Sequence, residues 1–128
     1  MKKRKEQNLA IIGEGLATQY LENSGYDIVT RNYYSTYGEI DIVAKHKQDI
    51  VIVEVKTRSN RSLELAENSI SSLKKKRLTL STMQYMSEHP EFSEFSYRFD
   101  VMLIFYYARD NSYKIKHYVN AFEPKIII

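Results

Sequence analysis

Apolar residues follow two spacings along the chain, and together these spacings predict two helices and five strands. A spacing near 3.6 residues over 7–24 predicts a first helix, which Gly25 ends. The same spacing over 70–88 predicts a second helix, with Asn68 or Ser69 as its N-cap.

Short runs rich in β-branched residues, bounded by polar breaks, predict the strands. They lie at residues 26–31, 39–44, 50–56, 98–107 and 113–119. The connection between the second and third strands is short enough for a β-hairpin, and the second helix leads from the third strand to the fourth. This order predicts an α/β fold in which helices flank a central sheet.

The composition bounds the kind of protein this is. With 128 residues and 43% hydrophobic residues, the chain suits a single domain over 1–128 with its own core, and we expect residues 1–6 to be a flexible basic tail. The chain has no cysteine, which excludes disulfide scaffolds and cysteine-based zinc or iron–sulfur sites. Without a signal-type apolar segment or a membrane-length apolar run, we expect a cytoplasmic protein with no membrane partner.

The net charge is only +3, but the basic residues are clustered. One cluster covers 2–5, a second covers 74–77, and Lys56, Arg58 and Arg61 make a looser third. Such clusters suit the phosphate backbone of nucleic acid. Ordinary solvated surface explains the composition equally well.

Three acidic residues lie inside apolar strands, where a carboxylate needs a partner. They are Asp41, Glu54 and Asp100. Strand alternation places Glu54 and Lys56 on one face, and Asp41 faces Glu54 if the second and third strands are neighbours. We expect Asp100 to form a structural ion pair with Arg98, which shares its face.

Two carboxylates beside a lysine suit phosphodiester hydrolysis. Asp41 and Glu54 offer the oxygen ligands that Mg²⁺ or Mn²⁺ takes, and Lys56 can orient water or stabilise charge on phosphorus. Glu14, on the first helix, is a candidate third carboxylate. The competing interpretation is a buried ion pair of Lys56 with one of the acids, of structural value only.

The same residues resemble a known family, the YraN-like proteins, small bacterial proteins described as predicted endonucleases. The resemblance rests on Gly38-Glu39-Ile40-Asp41, Val53-Glu54-Val55-Lys56-Thr57-Arg58 and Arg98-Phe99-Asp100-Val101, with further matches over nearly the whole chain. It implies the restriction-endonuclease-like fold of the PD-(D/E)XK superfamily, with a mixed central sheet, and a relation to Holliday junction resolvases.

The resemblance also implies site residues. Asp41 matches the metal-binding aspartate, Glu54 the second acidic ligand, Lys56 the lysine and Glu14 the helix-borne glutamate. There are two departures. Tyr34 stands where family members commonly carry arginine, and 62–64 lacks an expected glycine.

The sequence therefore predicts a Mg²⁺- or Mn²⁺-dependent endonuclease acting on nucleic acid, with DNA and branched or recombination structures favoured by the resemblance. Arg58, Lys74 and Lys75 are the candidate nucleic-acid contacts. One alternative is a nucleic-acid-binding module that does not cleave alone, and another is a structural protein whose acids are core ion pairs. The apolar residues 126–128 either pack on the core or seal a homodimer interface. Tyr33, Tyr34 and Tyr37 are expected in a loop before the second strand.

Overall fold

A mixed five-stranded sheet lies between two helices in this computed structural model, which describes residues 2–59 and 70–125. Within these ranges the elements are α1 (Lys2–Asn23), β1 (Asp27–Ser35), β2 (Gly38–His46), β3 (Asp49–Arg58), α2 (Ser72–Glu88), a 3₁₀ turn (Pro90–Phe92), β4 (Ser96–Tyr107) and β5 (Ser112–Phe122). The α/β class and the mixed sheet with flanking helices are confirmed, and the architecture is consistent with a restriction-endonuclease-like fold.

The strands lie in sequence order, β1-β2-β3-β4-β5. The pairs β1–β2, β2–β3 and β4–β5 are antiparallel, and β3–β4 is parallel. The parallel pair follows from the connection through α2, because a helical crossover returns the chain to the same end of the sheet. The predicted hairpin between β2 and β3 is present, with His46 opposite Asp49.

Each helix covers one face of the sheet. Ala17 and Leu21 of α1 pack on one face, against apolar residues of β2, β3 and β4. Leu78 and Tyr85 of α2 pack on the other face, against Ile52 and its neighbours. The candidate site lies beside α1, where β2 begins and β3 ends.

The first helix is longer than predicted, because it begins at Lys2 rather than at residue 7. The helix therefore includes residues 2–6, which the sequence analysis assigns to a basic tail. Lysine, arginine, glutamate and glutamine are all good helix formers, so the composition of this segment favours the extension. The predicted end at Gly25 is confirmed: its φ is +89°, and Tyr26 N–H donates to the Leu21 carbonyl.

Two local predictions were wrong. Tyr33 and Tyr34 lie within β1, not in a loop, because β1 continues to Ser35. The N-cap of α2 is Ser71, whose side chain accepts from Lys74 N–H. The alternative caps Asn68 and Ser69, the segment 62–64 and the apolar residues 126–128 all lie outside the described residues.

In the described part of the chain, no helix has both the length and the apolar character needed to cross a membrane.

Candidate active site

Asp41 lies where β2 and β3 separate. The ladder between these strands ends at the Ile42–Val53 pair. Beyond this pair, Asp41 Oδ2 accepts a 2.8 Å hydrogen bond from the backbone N–H of Val55. If the ladder continued, this N–H would instead donate to the backbone of β2. The carboxylate therefore replaces a backbone partner and is fixed in the gap between the strands.

Glu54 lies behind Asp41 and is only 4% exposed. Its carboxyl is in hydrogen-bonding contact with Asp41, and its Oε2 lies 3.3 Å from Lys74 Nζ. Burial first, then the hydrogen bond and the charge of Asp41, raise the pKa of Glu54 to about 8. Lys74 opposes this shift, but its side chain is 37% exposed and its charge is partly solvated. Near neutral pH, Glu54 is therefore mostly protonated and donates to Asp41.

Three carboxylates converge at this gap, and Asp41 supplies one of them. One oxygen each from Glu14 of α1 and from Glu39 and Asp41 of β2 lie within 4.8 Å of one another. Burial and repulsion from Asp41 raise the pKa of both glutamates, and repulsion from Glu39 raises the pKa of Glu14 further. The fold thus holds negative charge together at a cost that a bound cation would relieve.

Asn32 bridges two of these carboxylates. With its amide nitrogen turned towards the acids, Nδ2 donates to Glu14 Oε1 at 2.9 Å and to Glu39 Oε1 at 2.7 Å. The backbone of Asn32 has a φ of +55°, a left-handed conformation that asparagine tolerates better than most residues. This local irregularity in β1 places the amide between the two glutamates.

A close helix–strand approach fixes the position of Glu14. A Cβ atom added at Gly13 would lie 1.8 Å from Thr57 Oγ1 and 2.8 Å from Thr57 Cβ. Only glycine therefore allows α1 to contact β3 at this point. Glu14 is the next residue, so its reach towards Asp41 depends on that contact.

An open pocket of about 610 Å³ surrounds the three carboxylates. Lys56 and Arg58, near the end of β3, lie in its wall together with Glu14 and Asp41. Lys56 also lowers the pKa of Glu54 through its charge. The pocket therefore combines an acidic centre with a basic wall, which is the arrangement that a cation and a phosphate group need together.

The donor set fits a hard divalent cation. Mg²⁺ and Mn²⁺ prefer carboxylate oxygen and water, and Mg²⁺ commonly takes one or two protein carboxylates and keeps several waters. Glu14, Glu39 and Asp41 supply such oxygens, and the open pocket leaves room for water and a phosphate. Glu54 is held back from the pocket by its contacts with Asp41 and Lys74.

The structure thus brings Glu14, Asp41, Lys56 and Arg58 to one pocket and places Glu54 outside its lining, in contact with Asp41. Sequence reasoning missed the roles of Glu39 and Asn32. The signal for Glu39 was present, because a residue two positions before Asp41 on a strand shares its face. No comparable signal marks Asn32, since its position depends on the backbone irregularity.

The other predicted nucleic-acid contacts have partners within the protein. Lys74 lies at Glu54, and the Lys75 ammonium lies over the Phe122 ring, 5.4 Å from its centroid. Lys74 and Lys75 are partly exposed and therefore contact both solvent and a side chain of the protein. Their contact with phosphate stays a prediction.

A second buried acid lies away from the pocket and is structural. Asp100 is fully buried and accepts from Arg98 Nε at 3.0 Å, which confirms the predicted ion pair. It also bonds to His117 Nε2 at 2.7 Å and accepts from Asn120 N–H. Burial alone would raise the pKa of Asp100, but the hydrogen bonds from His117, Arg98 and Asn120 outweigh it and lower the pKa.

Comparison with known proteins shows the family. The model of "Uncharacterised protein family UPF0102" matches residues 13–104, a span that includes every residue of the acidic cluster. A UPF0102 protein of Syntrophomonas wolfei is 38% identical over 91% of this chain and 98% of its own length. A second, from Caldanaerobacter subterraneus, is 32% identical over 95% of this chain and its full length. The chain therefore belongs to the UPF0102 family, the YraN family that its sequence motifs resemble.

Proposed function

We propose that this protein is a divalent-metal-dependent endonuclease that hydrolyses phosphodiester bonds in nucleic acid, with DNA as the favoured substrate. The observation that supports this most strongly is the convergence of Glu14, Glu39 and Asp41 in a pocket that also contains Lys56. We place this activity in the cytoplasm, where the chain meets nucleic acid.

Glu14, Glu39 and Asp41 would hold Mg²⁺ or Mn²⁺. When bound, the cation supplies positive charge that polarises a phosphoryl oxygen and activates water. The Asn32 amide orients Glu14 and Glu39, as outer hydrogen bonds commonly orient metal ligands. Asp41 is oriented in turn by the Val55 N–H.

The basic wall has the complementary task. Hydrolysis adds water across a P–O bond, and negative charge builds up on the phosphate oxygens as it does so. Lys56 stabilises that charge or orients the attacking water, because a lysine is a compact and mobile point charge. Arg58, beside it in the wall, is placed to hold a neighbouring phosphate.

One observation favours a second candidate, a nucleic-acid-binding protein that does not cleave alone. The resemblance implies Glu54 as a metal ligand, yet Glu54 is buried, mostly protonated near neutral pH and in contact with Lys74. In that case the pocket would bind phosphate or a cation without assembling a reactive centre. Cleavage separates the two candidates.

The test uses end-labelled single strands, duplexes, flaps and four-way junctions, as DNA and as RNA, with Mg²⁺ or Mn²⁺. The nuclease proposal predicts that the protein cuts at least one substrate and that EDTA abolishes cleavage. Asp41→Asn should abolish cleavage, and Lys56→Gln should slow it about 10²–10³-fold. Glu22→Gln, at an exposed position on α1, is the matched control and should cleave normally. Binding without cleavage would instead establish the second candidate, and equal cleavage by Asp41→Asn would contradict the proposed site.

A further inference from the structure

A second concave surface lies along β4 and β5. It is an open groove of about 710 Å³. Lys114 and Lys116 of β5 are the direct cross-strand partners of Phe105 and Leu103 of β4, so their side chains share one face of the sheet. Arg109, in the turn between the strands, closes one end.

The groove is basic. Arg109, Lys114 and Lys116 are all exposed, and in the described parts of the chain no carboxylate forms a salt bridge with any of them. The acid in the lining is Asp110, which accepts a 2.7 Å hydrogen bond from Ser112 Oγ. The groove therefore presents three cationic side chains to solvent against one carboxylate.

Aromatic side chains lie among these cations. Tyr107 is half-buried, and Phe105 is 8% exposed on the same face. Positive side chains interleaved with aromatic rings suit single-stranded nucleic acid, whose phosphates pair with the cations and whose unpaired bases stack on the rings. A duplex keeps its base faces inside its own stack and offers only phosphates to such a groove.

The groove and the acidic pocket lie at the same end of the sheet. Arg58, in the wall of the acidic pocket, is the ladder partner of Phe105 in the parallel β3–β4 pair. Phe105 lies on the face of the sheet that α2 covers, whereas Glu14 of α1 and Val55 lie on the opposite face, so the two surfaces share one end of the sheet but lie on opposite faces.

We propose that the β4–β5 groove binds a single-stranded segment of nucleic acid, with Lys114 and Lys116 contacting phosphates and Tyr107 stacking on a base. This inference rests on the proposed function, in which the protein acts on nucleic acid. Binding in the groove itself needs neither the metal nor cleavage, so the two proposals can fail separately.

The first experiment measures the salt dependence of binding. Fluorescence anisotropy with a labelled single-stranded oligonucleotide is recorded in EDTA over a range of salt concentrations, for the intact protein and for Lys114→Gln/Lys116→Gln. Losing two phosphate contacts should weaken binding and reduce the slope of log K against log salt by about 1.4, at about 0.7 per contact on a single strand.

The matched control is Lys47→Gln/Lys125→Gln. Both residues are exposed and lie towards the other end of the strands, and the change in net charge is the same. The control should keep the original slope. An equal reduction of the slope in the two variants would show that only net charge matters. An unchanged slope in both would show that Lys114 and Lys116 do not contact phosphate, and their role would then be to prevent the edge strand from pairing with other chains. Either result would overturn the groove proposal.

The second experiment tests stacking. Tyr107→Leu keeps an apolar side chain against its neighbours but removes the ring. It should bind an ordinary oligonucleotide about fivefold or more weakly, since stacking on an aromatic ring contributes at least this much per base. It should bind an abasic oligonucleotide as the intact protein does. An equal loss of affinity for both oligonucleotides would refute a base-stacking groove. Tighter binding of a duplex or of a polyglutamate peptide than of a single strand would refute it as well.

These outcomes separate the two proposals. A protein that binds single strands through Lys114 and Lys116 but cuts nothing would refute the nuclease proposal and leave the groove intact. A protein that cuts nucleic acid while the Lys114→Gln/Lys116→Gln variant binds normally would refute the groove alone.

Discussion

Replacing Glu54 by glutamine should stabilise the metal-free protein at alkaline pH. Glutamine matches a protonated glutamate in size, and its amide can donate to Asp41 as the protonated acid does. Glu54 is 4% exposed, and its pKa is raised from an ordinary value of 4.5 to about 8. The variant therefore keeps the hydrogen bond and removes the group that must ionise in a buried position.

The magnitude follows from linkage between protonation and folding. Between about pH 5 and pH 8 the unfolded chain has lost the Glu54 proton while the folded protein keeps it, so raising the pH destabilises the folded state. Each pH unit costs about 1.4 kcal/mol, or about 4 kcal/mol over that interval. This is a large share of the 5–15 kcal/mol that stabilises a typical domain.

The assay is urea unfolding in EDTA at several pH values for the unmodified protein, Glu54→Gln and Glu22→Gln. The free energy of unfolding of Glu54→Gln should exceed that of the unmodified protein by a margin that grows with pH and levels off above pH 8. Glu22→Gln makes the same chemical change at an exposed position and should follow the unmodified protein.

The opposite result would refute this reasoning. If Glu54 is ionised and forms a stabilising ion pair with Lys74, glutamine removes one partner of a buried pair, and the variant should lose about 3–5 kcal/mol at neutral pH. A variant less stable than the unmodified protein at pH 8 would therefore show that Glu54 is ionised and forms a structural ion pair with Lys74.

Three further changes test other contacts. Asn32→Ala removes the amide between the glutamates and should weaken Mg²⁺ binding about 10–100-fold by calorimetry, and unchanged affinity would mean that Asn32 does not orient them. Gly13→Ala should cost about 1–3 kcal/mol in urea unfolding, with part of the loss recovered by Thr57→Ala; full stability of the single variant would contradict the close approach. Asp100→Asn removes the buried charge that pairs with Arg98, which keeps its ion pair with Asp49, and should cost about 1–3 kcal/mol without changing Mg²⁺ affinity. A loss of metal binding in folded protein would contradict a purely structural role.

The sequence was most informative where the chain itself restricts geometry. The short connection between β2 and β3 makes them antiparallel neighbours, which is enough to bring Asp41 towards Glu54. Lys56 follows by strand alternation. The parallel β3–β4 pair likewise follows from a helix placed between two strands.

The sequence was least informative where packing decides the contact. The rotation of α2 brings Lys74 to Glu54, and four consecutive basic residues give no indication of which one faces the sheet. Glu54 therefore looks like a pocket ligand in the sequence but lies buried behind Asp41. Asn32 depends on a left-handed residue within a strand, which no periodic pattern predicts.

The central claim is that Glu14, Glu39 and Asp41 bind a divalent cation together. Titration with Mn²⁺ followed by electron paramagnetic resonance measures this directly, because free and bound Mn²⁺ differ in signal. The account predicts that the intact protein and Glu22→Gln bind Mn²⁺, that Mg²⁺ competes for the same site, and that Asp41→Asn loses it. No binding by the intact protein, or equal binding by Asp41→Asn, would contradict the account.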